Sequence, residues 1–306
     1  MVTASSGAPS WAQESCLMGI DEAGRGPVLG PMVYGCAFCP LDQKERISSL
    51  QFADSKVLTE AKRDELYASI LADSSMGWAV DVIDPRDLSA QMLCRERRSL
   101  NMISFESAMG LIRSTLNLGV SLAEVFVDTV GDPAKYEASL TERFPGIKFT
   151  VSKKADSLFP IVSAASIIAK VTRDKALREW VMEETGKDVG RSFGSGYPGD
   201  PDTKSWLEQN SNPVFGFPSV VRFSWATCKP YFTKGGVDIF WLASPISTCP
   251  PDLLSCKYVG SDPMDGSDDD EETERRKSKI VETESCAPLR HSFFRSRQLQ
   301  QVTTRL

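Results

Sequence analysis

Apolar residues in the first 230 positions follow two repeating patterns, one typical of strands and the other typical of helices. Short apolar runs bounded by turn residues predict strands within an opening hairpin over about 16–39 and at 78–83, 124–129 and 147–151. Apolar positions that recur every three or four residues predict helices after residue 52 and over 99–118, 160–182 and 204–209. These patterns favour an α/β fold with a mixed five-stranded sheet flanked by helices, followed by a helical C-terminal extension.

Polar segments flank this patterned region on both sides. Residues 1–15 are small and polar, so we expect a disordered N-terminus. Beyond residue 245 the chain is rich in Ser, Pro, Asp and Glu, which predicts a mostly disordered acidic tail over 245–306. The adjacent Phe293 and Phe294 indicate a partner-docking segment near 290–299 that orders on binding. The folded domain is therefore expected over 16–230.

Composition narrows the class of protein. The chain has 306 residues, 41% of them hydrophobic, which is enough for a sizeable core. No apolar run reaches the roughly 18 residues that a membrane helix needs, and the N-terminus lacks the features of a secretory signal. Eight cysteines without a repeated spacing fit reduced thiols, so we expect an intracellular protein. A net charge of −6 argues against bulk coating of nucleic acid but allows a local basic groove.

Histidine is nearly absent, because the chain contains one, His291, in the polar tail. Serine–histidine and cysteine–histidine nucleophile systems, histidine zinc sites and histidine general bases are therefore nearly excluded. Aspartate and glutamate, with 41 residues in all, become the candidates for acid–base chemistry or for binding hard cations.

Two adjacent carboxylates, Asp21 and Glu22, end the first apolar run and precede a glycine-rich loop that contains Gly24, Arg25 and Gly26. Because side chains alternate along a strand, both acids can serve one site only if the strand ends or bulges there. The two glycines permit positive φ angles and a close backbone approach to a ligand. A plain turn is the alternative interpretation of this stretch.

Two further acids lie at the ends of apolar elements, Asp128 after a strand and Asp156 before a long helix. Asp128 could instead form a turn, and Asp156 could cap the helix. If the ends of these elements converge, four carboxylates would repel one another unless divalent cations hold them. Such a site suits Mg²⁺ or Mn²⁺, and paired ions about 4 Å apart stabilise in-line displacement at phosphorus.

Basic and aromatic residues complete the candidate site. Lys170 and Arg173 lie along one edge of the helix over 160–182, where they either face a ligand or form a solvated surface. Tyr197 lies in a glycine- and proline-rich loop over 190–204. It is either a stacking platform for a sugar or base, or a buried tyrosine in a surface connection.

The stretch from Gly19 to Pro31, GIDEAGRGPVLGP, resembles the signature of the type 2 ribonucleases H, the ribonuclease HII family. Further motifs follow in the family's order, so the resemblance covers about 16–228: Asp54-Ser55-Lys56, Val127-Asp128, Lys154-Ala155-Asp156, residues 163–174 and Gly194-Ser195-Gly196-Tyr197-Pro198. Residues 213–225 and the long tail are more similar to the catalytic subunit of the eukaryotic enzymes than to the bacterial monomer.

This resemblance implies a ribonuclease H-like fold and hydrolysis of the RNA strand in RNA/DNA hybrids, with nicking 5′ of single ribonucleotides in duplex DNA. It implies that the metal-binding catalytic acids are Asp21, Glu22, Asp128 and Asp156. It also implies substrate contacts by Gly24, Arg25 and Gly26 at the ribonucleotide, by Tyr197 at the RNA-to-DNA junction, and by Lys56, Lys170 and Arg173 at phosphates.

The resemblance further implies a heterotrimer with two accessory subunits, a nuclear location and a role in ribonucleotide and primer removal, without membrane association. Two other functions are weighed against it. One is a non-catalytic scaffold that binds hybrids. The other is a dinucleotide-binding oxidoreductase, although Gly24, Gly26 and Gly30 are spaced one residue too widely for Gly-x-Gly-x-x-Gly.

Overall fold

The structure is a computed structural model that describes residues 3–50, 59–94, 96–129, 131–182, 190–235, 239–241 and 299–301. Contacts divide the chain into two compact units, one of residues 1–211 with 217–229 and one of residues 212–216 with 230–306. The sheet and the candidate site belong to the first unit. None of the helices in the described part of the chain combines the length and apolar character that a membrane span requires.

One six-stranded sheet forms the centre of the first unit. Its strands are β1 (Ala4–Ser5), β2 (Ser15–Ala23), β3 (Met32–Pro40), β4 (Gly77–Ile83), β5 (Ser121–Asp128) and β6 (Lys148–Ser152). Their spatial order is β1-β4-β3-β2-β5-β6. Pairing is antiparallel from β1 to β2 and parallel between β2, β5 and β6, which confirms the predicted mixed sheet.

The sixth strand lies in the N-terminal segment for which we expected disorder. Thr3 N–H donates to the carbonyl of Val80 at 2.8 Å, and Ala4 and Ser5 pair with β4. Both residues of β1 are exposed, so backbone hydrogen bonds hold this edge strand and no apolar pattern marks it in the sequence. The expectation of a disordered segment over 1–15, and with it the count of five strands, is wrong at these positions.

Helices cover both faces of the sheet. The helices of the first unit are α1 (Lys44–Ser49), α2 (Glu60–Ala72), α3 (Pro85–Leu93), α4 (Leu100–Asn117), α5 (Pro133–Arg143), α6 (Ala155–Leu158), α7 (Pro160–Arg178) and α8 (Pro201–Gln209), with 3₁₀ turns at Leu41–Gln43 and Ala226–Cys228. All but the first residue of α9 (Lys229–Gly235) belongs to the second unit. The side chain of Ser99 caps α4, as the predicted start at 99 requires. The beginning of the helix predicted after residue 52 lies outside the described residues.

Apolar side chains form one core on each face of the sheet. Ile103, Leu111 and Ile112 of α4 pack on one face with side chains of α3 and α5. Ile161, Ile167 and other residues of α7 pack on the opposite face with side chains of α1 and α2. Since these layers bury the sheet on both sides, its strand ends are the natural places for polar chemistry.

Two glycines let α7 lie directly on the sheet. A Cβ atom on Gly19 would come within 2.5 Å of the Ile161 carbonyl group, and one on Gly35 within 2.9 Å of the carbonyl oxygen of Ala165. Real Cβ atoms do not approach backbone this closely, so only glycine permits the observed helix position. The close packing places Ser166 and Lys170 of α7 over the end of β2.

In the second unit, β7 (Ile239–Trp241) pairs antiparallel with β8 (Leu299–Gln301). These three residues of β8 are paired, whereas we predicted a mostly disordered tail over 245–306. Phe293, Phe294 and the remainder of that tail lie outside the described residues, so the docking segment stays a prediction.

Replacing Gly35 by alanine should destabilise the fold by about 1–3 kcal/mol, because the added methyl group must push α7 away from β3. Gly110→Ala in α4 is the matched control, since a Cβ atom there meets nothing within 4 Å. The control should be neutral or stabilising by up to about 1 kcal/mol. Urea unfolding of both variants measures the difference, and equal stabilities would contradict the close packing.

Candidate active site

Asp21 and Glu22 lie on opposite faces of β2. Ile20 on this strand belongs to the core beneath α4, whereas Ala23 belongs to the core beneath α7. The alternation of side chains therefore places Glu22 towards α4 and Asp21 towards α7, where Ser166 hydrogen-bonds to it. Asp21 is buried and Glu22 is partly buried.

The two carboxylates nevertheless meet, because the neighbouring strand ends. Pairing between β2 and β5 runs to Ile20 opposite Val127, and β5 stops one residue later at Asp128. On its other side β2 stays paired with β3 as far as Ala23. The side of β2 next to β5 is thus open beyond Asp21, and carboxylates from both faces can reach into the space.

A compact carboxylate cluster results. Ligand oxygens of Asp21, Glu22 and Asp128 all lie within 4.8 Å of one another. The register irregularity of β2 is at Cys16 and Leu17, five residues away from Glu22. β2 thus has no bulge at the paired acids and ends one residue after Glu22, at Ala23, while the earlier end of its pairing with β5 supplies the opening.

The turn after β6 fixes the position of Asp128. Ala155 N–H donates to Asp128 Oδ1 at 2.8 Å. Lys154, just before it, adopts the left-handed conformation with φ of 56°, which is uncommon for a residue with a side chain. The hydrogen bond from Ala155 therefore holds the Asp128 carboxylate in place at the end of β5.

Asp156 lies next to this turn but outside the close cluster. It is 3% exposed, within α6, and its carbonyl accepts a hydrogen bond from Ser163 of α7. Among the described residues, the group within 4.8 Å contains the other three acids and not Asp156. The alternative that Asp156 caps a helix is wrong, because the N-cap residues of α6 and α7 are Lys154 and Phe159.

The glycine-rich loop after β2 is held by a residue that we did not single out from the sequence. Arg222 is fully buried, and its guanidinium donates to the carbonyls of Gly24 at 2.5 Å, Arg25 at 3.1 Å and Gly30 at 2.7 Å. Its guanidinium carbon lies 4.7 Å from the ring centroid of Trp225, whose indole N–H donates to Gly26 at 3.1 Å. One buried cation thus fixes the backbone of the loop.

Arg25 points its guanidinium towards α4. Nη1 donates to Ser104 Oγ at 2.6 Å, and Nη2 donates to Asn101 Oδ1 at 2.5 Å. Its charge also lowers the pKa of Glu22, against the larger effect of burial. Arg25 lines the adjoining groove together with Gly24 and Gly26.

Tyr197 lies beside Gly26 at the mouth of this groove. A Cβ atom on Gly26 would lie 3.1 Å from a ring carbon of Tyr197, and the tyrosine is 51% exposed. A hydrogen bond of 2.8 Å from Val28 N–H to the Gly196 carbonyl ties the two loops together. The alternative of a buried tyrosine is therefore wrong, and the ring is available for stacking.

A groove of about 360 Å³ runs past these loops. Its lining includes Glu22, Gly24, Tyr197 and the basic residues Lys170 and Arg173. The side chain of Arg173 is only 13% exposed, which rules out a plainly solvated surface position for it. Lys56 lies outside the described residues, so its phosphate contact stays a prediction.

Comparison with known proteins identifies the family. The family model for ribonuclease HII matches residues 18–228. The chain belongs to the ribonuclease HII family. The A subunit of ribonuclease H2 from Arabidopsis thaliana is 65% identical over 235 residues, covering 77% of this chain and 79% of that protein. The corresponding human protein is 49% identical, covering 75% and 77%.

Solved structures agree on the fold. The ribonuclease H2 of Pyrococcus horikoshii is 32% identical with a TM-score of 0.58, covering 70% of this chain and 96% of that one. Bst-RNase HIII in complex with Mn²⁺ is 18% identical with a TM-score of 0.55, covering 71% and 69%. The chain thus has the ribonuclease H-like fold and is a ribonuclease H-type nuclease. The oxidoreductase alternative is wrong, since the glycine-rich loop leads into β3 and not into a helix that could bind a pyrophosphate.

Burial of the acids in this ribonuclease HII site is costly without a cation. Burial raises the pKa of Asp21 to about 7, with a further contribution from Asp128 that the Ser166 hydrogen bond opposes. Burial, Asp21 and Asp128 together raise the pKa of Glu22 to about 8. Glu22 Oε2 is also buried without a hydrogen-bond partner among the described residues. Clustered oxygens that lack donors fit a hard divalent cation.

The stability of the metal-free protein should fall as the pH rises from about 4 to about 8. Unfolded carboxyls lose their protons near pH 4, whereas Asp21 and Glu22 keep theirs to about pH 7 and 8 in the folded chain. Their protonated forms thus favour folding at low pH, and this contribution disappears as the pH passes the folded pKa values. Thermal unfolding in EDTA across this pH range measures the change in stability of the metal-free protein.

Added Mn²⁺ should accordingly raise the melting temperature more at pH 8 than at pH 6, since a bound cation displaces protons from the acids. In the double variant Asp21→Asn with Glu22→Gln, most of the pH dependence of stability and most of the Mn²⁺-induced rise in melting temperature should disappear. If Mn²⁺ raised the melting temperature equally at pH 6 and pH 8, or equally in the double variant and in the unsubstituted chain, these carboxylates would be excluded as the binding site.

Proposed function

We propose that this chain is the catalytic subunit of a ribonuclease H2 that hydrolyses the RNA strand of RNA/DNA hybrids and nicks duplex DNA 5′ of a single ribonucleotide. The observation that carries the proposal is the carboxylate cluster, whose Glu22 lines a groove together with Gly24, Arg25 and Gly26. Similarity to proteins named as subunits of ribonuclease H2 supports the substrate class.

Asp21, Glu22 and Asp128 would hold divalent Mg²⁺ or Mn²⁺, and we propose Asp156 as a further ligand that completes a two-ion site. Two such ions, when bound, supply Lewis acidity to the phosphate and an activated water. The chain itself orients the acids, through the Ala155 N–H on Asp128 and the Ser166 hydroxyl on Asp21. It also excludes water from Asp21, which is 5% exposed.

Recognition of the ribonucleotide would use the loop held by Arg222. The 2′-hydroxyl distinguishes RNA from DNA, and reading it requires close contact with the sugar. Gly24 has a φ of +74°, and a Cβ atom there would lie 2.7 Å from the Pro31 carbonyl oxygen, so the loop has no room for a side chain. Tyr197, exposed beside Gly26, would stack at the RNA-to-DNA junction. Lys170 and Arg173 would contact phosphates.

The relatives are named as subunits, which supports a multi-subunit assembly; we propose two accessory subunits. A nuclear location and roles in ribonucleotide excision during replication and repair accompany this proposal. A nicking assay distinguishes an active nuclease from a non-catalytic scaffold that binds hybrids.

Purified chain, alone and with its accessory subunits, should nick a duplex containing one ribonucleotide immediately 5′ of that residue when Mg²⁺ or Mn²⁺ is present. Asp21→Asn should lower the rate by at least about 10²-fold, because it removes a charged ligand from the cluster. Products resolved on a sequencing gel give the position of the nick.

The all-deoxyribonucleotide duplex of the same sequence is the control substrate. Lys62→Ala, an exposed change outside the cluster and groove, is the control variant. Binding of the duplex without cleavage, even with both accessory subunits and either metal, would support the scaffold and overturn the proposal.

A further inference from the structure

Arg63 is a third basic residue from a helix that lines the same groove as Lys170 and Arg173, and Arg25 of the glycine-rich loop lines it as well. Arg63 comes from the first turn of α2, whereas Lys170 and Arg173 come from α7. Sequence patterns give no reason to single Arg63 out, since it lies among alternating charges in a helix. The groove therefore carries positive charge from two helices.

The three cations have different surroundings. Lys170 and Arg173 are three residues apart, so they share one face of α7, and Lys170 lowers the pKa of Asp21 through its charge. Arg173 pairs with Asp174 at 3.1 Å, and its Nη2 lies 3.5 Å from the Leu29 carbonyl. Part of its charge is thus used within the protein. Arg63 adds a guanidinium on the α2 side of the groove.

The basic side chains of the groove favour a ligand that carries phosphate groups. Arginine presents a planar set of donors that matches phosphate oxygens. Glu22 of the carboxylate cluster and the Gly24–Gly26 loop line the groove together with these cations, so a strand cut at the cluster would lie close to them. A nucleic-acid backbone places a phosphate at every nucleotide, and cations beyond the cluster would meet them.

We propose that Arg63 binds a backbone phosphate of the nucleic-acid substrate, a few nucleotides or fewer from the cleaved bond. This inference rests on the proposed function of the groove. It makes Arg63 a binding residue that acts on affinity in a sequence-independent way. The carboxylate cluster does not depend on it.

The test compares Arg63→Ala and Arg63→Lys with Lys62→Ala in the full-length chain. Lys62 is the matched control, because it precedes Arg63 in the same helix, carries the same charge, pairs with Glu65 at 2.8 Å and does not line the groove. Binding of the single-ribonucleotide duplex is measured by fluorescence anisotropy on an Asp128→Asn background at several salt concentrations. Cleavage kinetics are measured on the otherwise unchanged chain with its accessory subunits.

Arg63→Ala should weaken binding about five- to tenfold and lower the slope of log Kd against log salt by about one. It should raise KM with little change in kcat. Arg63→Lys should keep the slope, because it keeps the charge, and Lys62→Ala should stay within about twofold of the parent chain in affinity.

An unchanged slope in Arg63→Ala, or an equal change in Lys62→Ala, would overturn the inference. If Arg63→Ala does not fold, Arg63→Gln takes its place in the comparison, and an unchanged slope in that variant would likewise overturn the inference. Failure of the proposed function is a separate result, because the chain without substitutions would then not nick the duplex at all.

Discussion

The crowding of three carboxylates in a poorly solvated site is the constraint on which the account of this site depends. Asp21, Glu22 and Asp128 lie within 4.8 Å of one another, and burial raises the pKa values of the first two to about 7 and 8. A fold that only needed stability would separate them, since like charges in a poorly solvated site oppose folding. The sheet instead brings them together, because β5 ends just where β2 continues.

The two halves of the site are adjacent in the chain but supported by different parts of the fold. The carboxylates depend on β2, β5 and the close approach of α7, which Gly19 and Gly35 permit. The glycine-rich loop depends on Arg222, whose side chain reaches back to three of its carbonyls. The sheet thus positions the carboxylates while a distant buried cation shapes the adjoining loop, which we propose reads the ribose.

Much of this arrangement could be predicted from local sequence. The scarcity of histidine pointed to carboxylates, and the acids at the ends of two apolar runs, Asp21 with Glu22 and Asp128, include all three members of the cluster. The missed helices include α3 and α5, although each begins with an Asp N-cap followed by Pro, at Asp84 and Asp132. Asp followed by Pro is a common helix start, because the Asp side chain caps the first turn and Pro suits its first position.

Other features depend on contacts between distant parts of the chain and could not be predicted from local pattern. Arg222 contacts residues almost 200 positions earlier, and its one local signal is a charge inside the apolar run from Val220 to Phe223. The opening beside Glu22 follows from the register of β5 against β2. The placement of Asp156 outside the close cluster likewise follows from the turn at Lys154.

The central claim is that the three clustered acids form one cation site, and Mn²⁺ anomalous scattering tests it most directly. Crystals of the full-length chain grown at about pH 8 with saturating Mn²⁺ should show an anomalous peak in contact with oxygens of Asp21, Glu22 and Asp128. The same peak should be absent from crystals of Asp21→Asn. Ordered carboxylates in the positions described above, with Mn²⁺ bound elsewhere or not at all, would contradict the account.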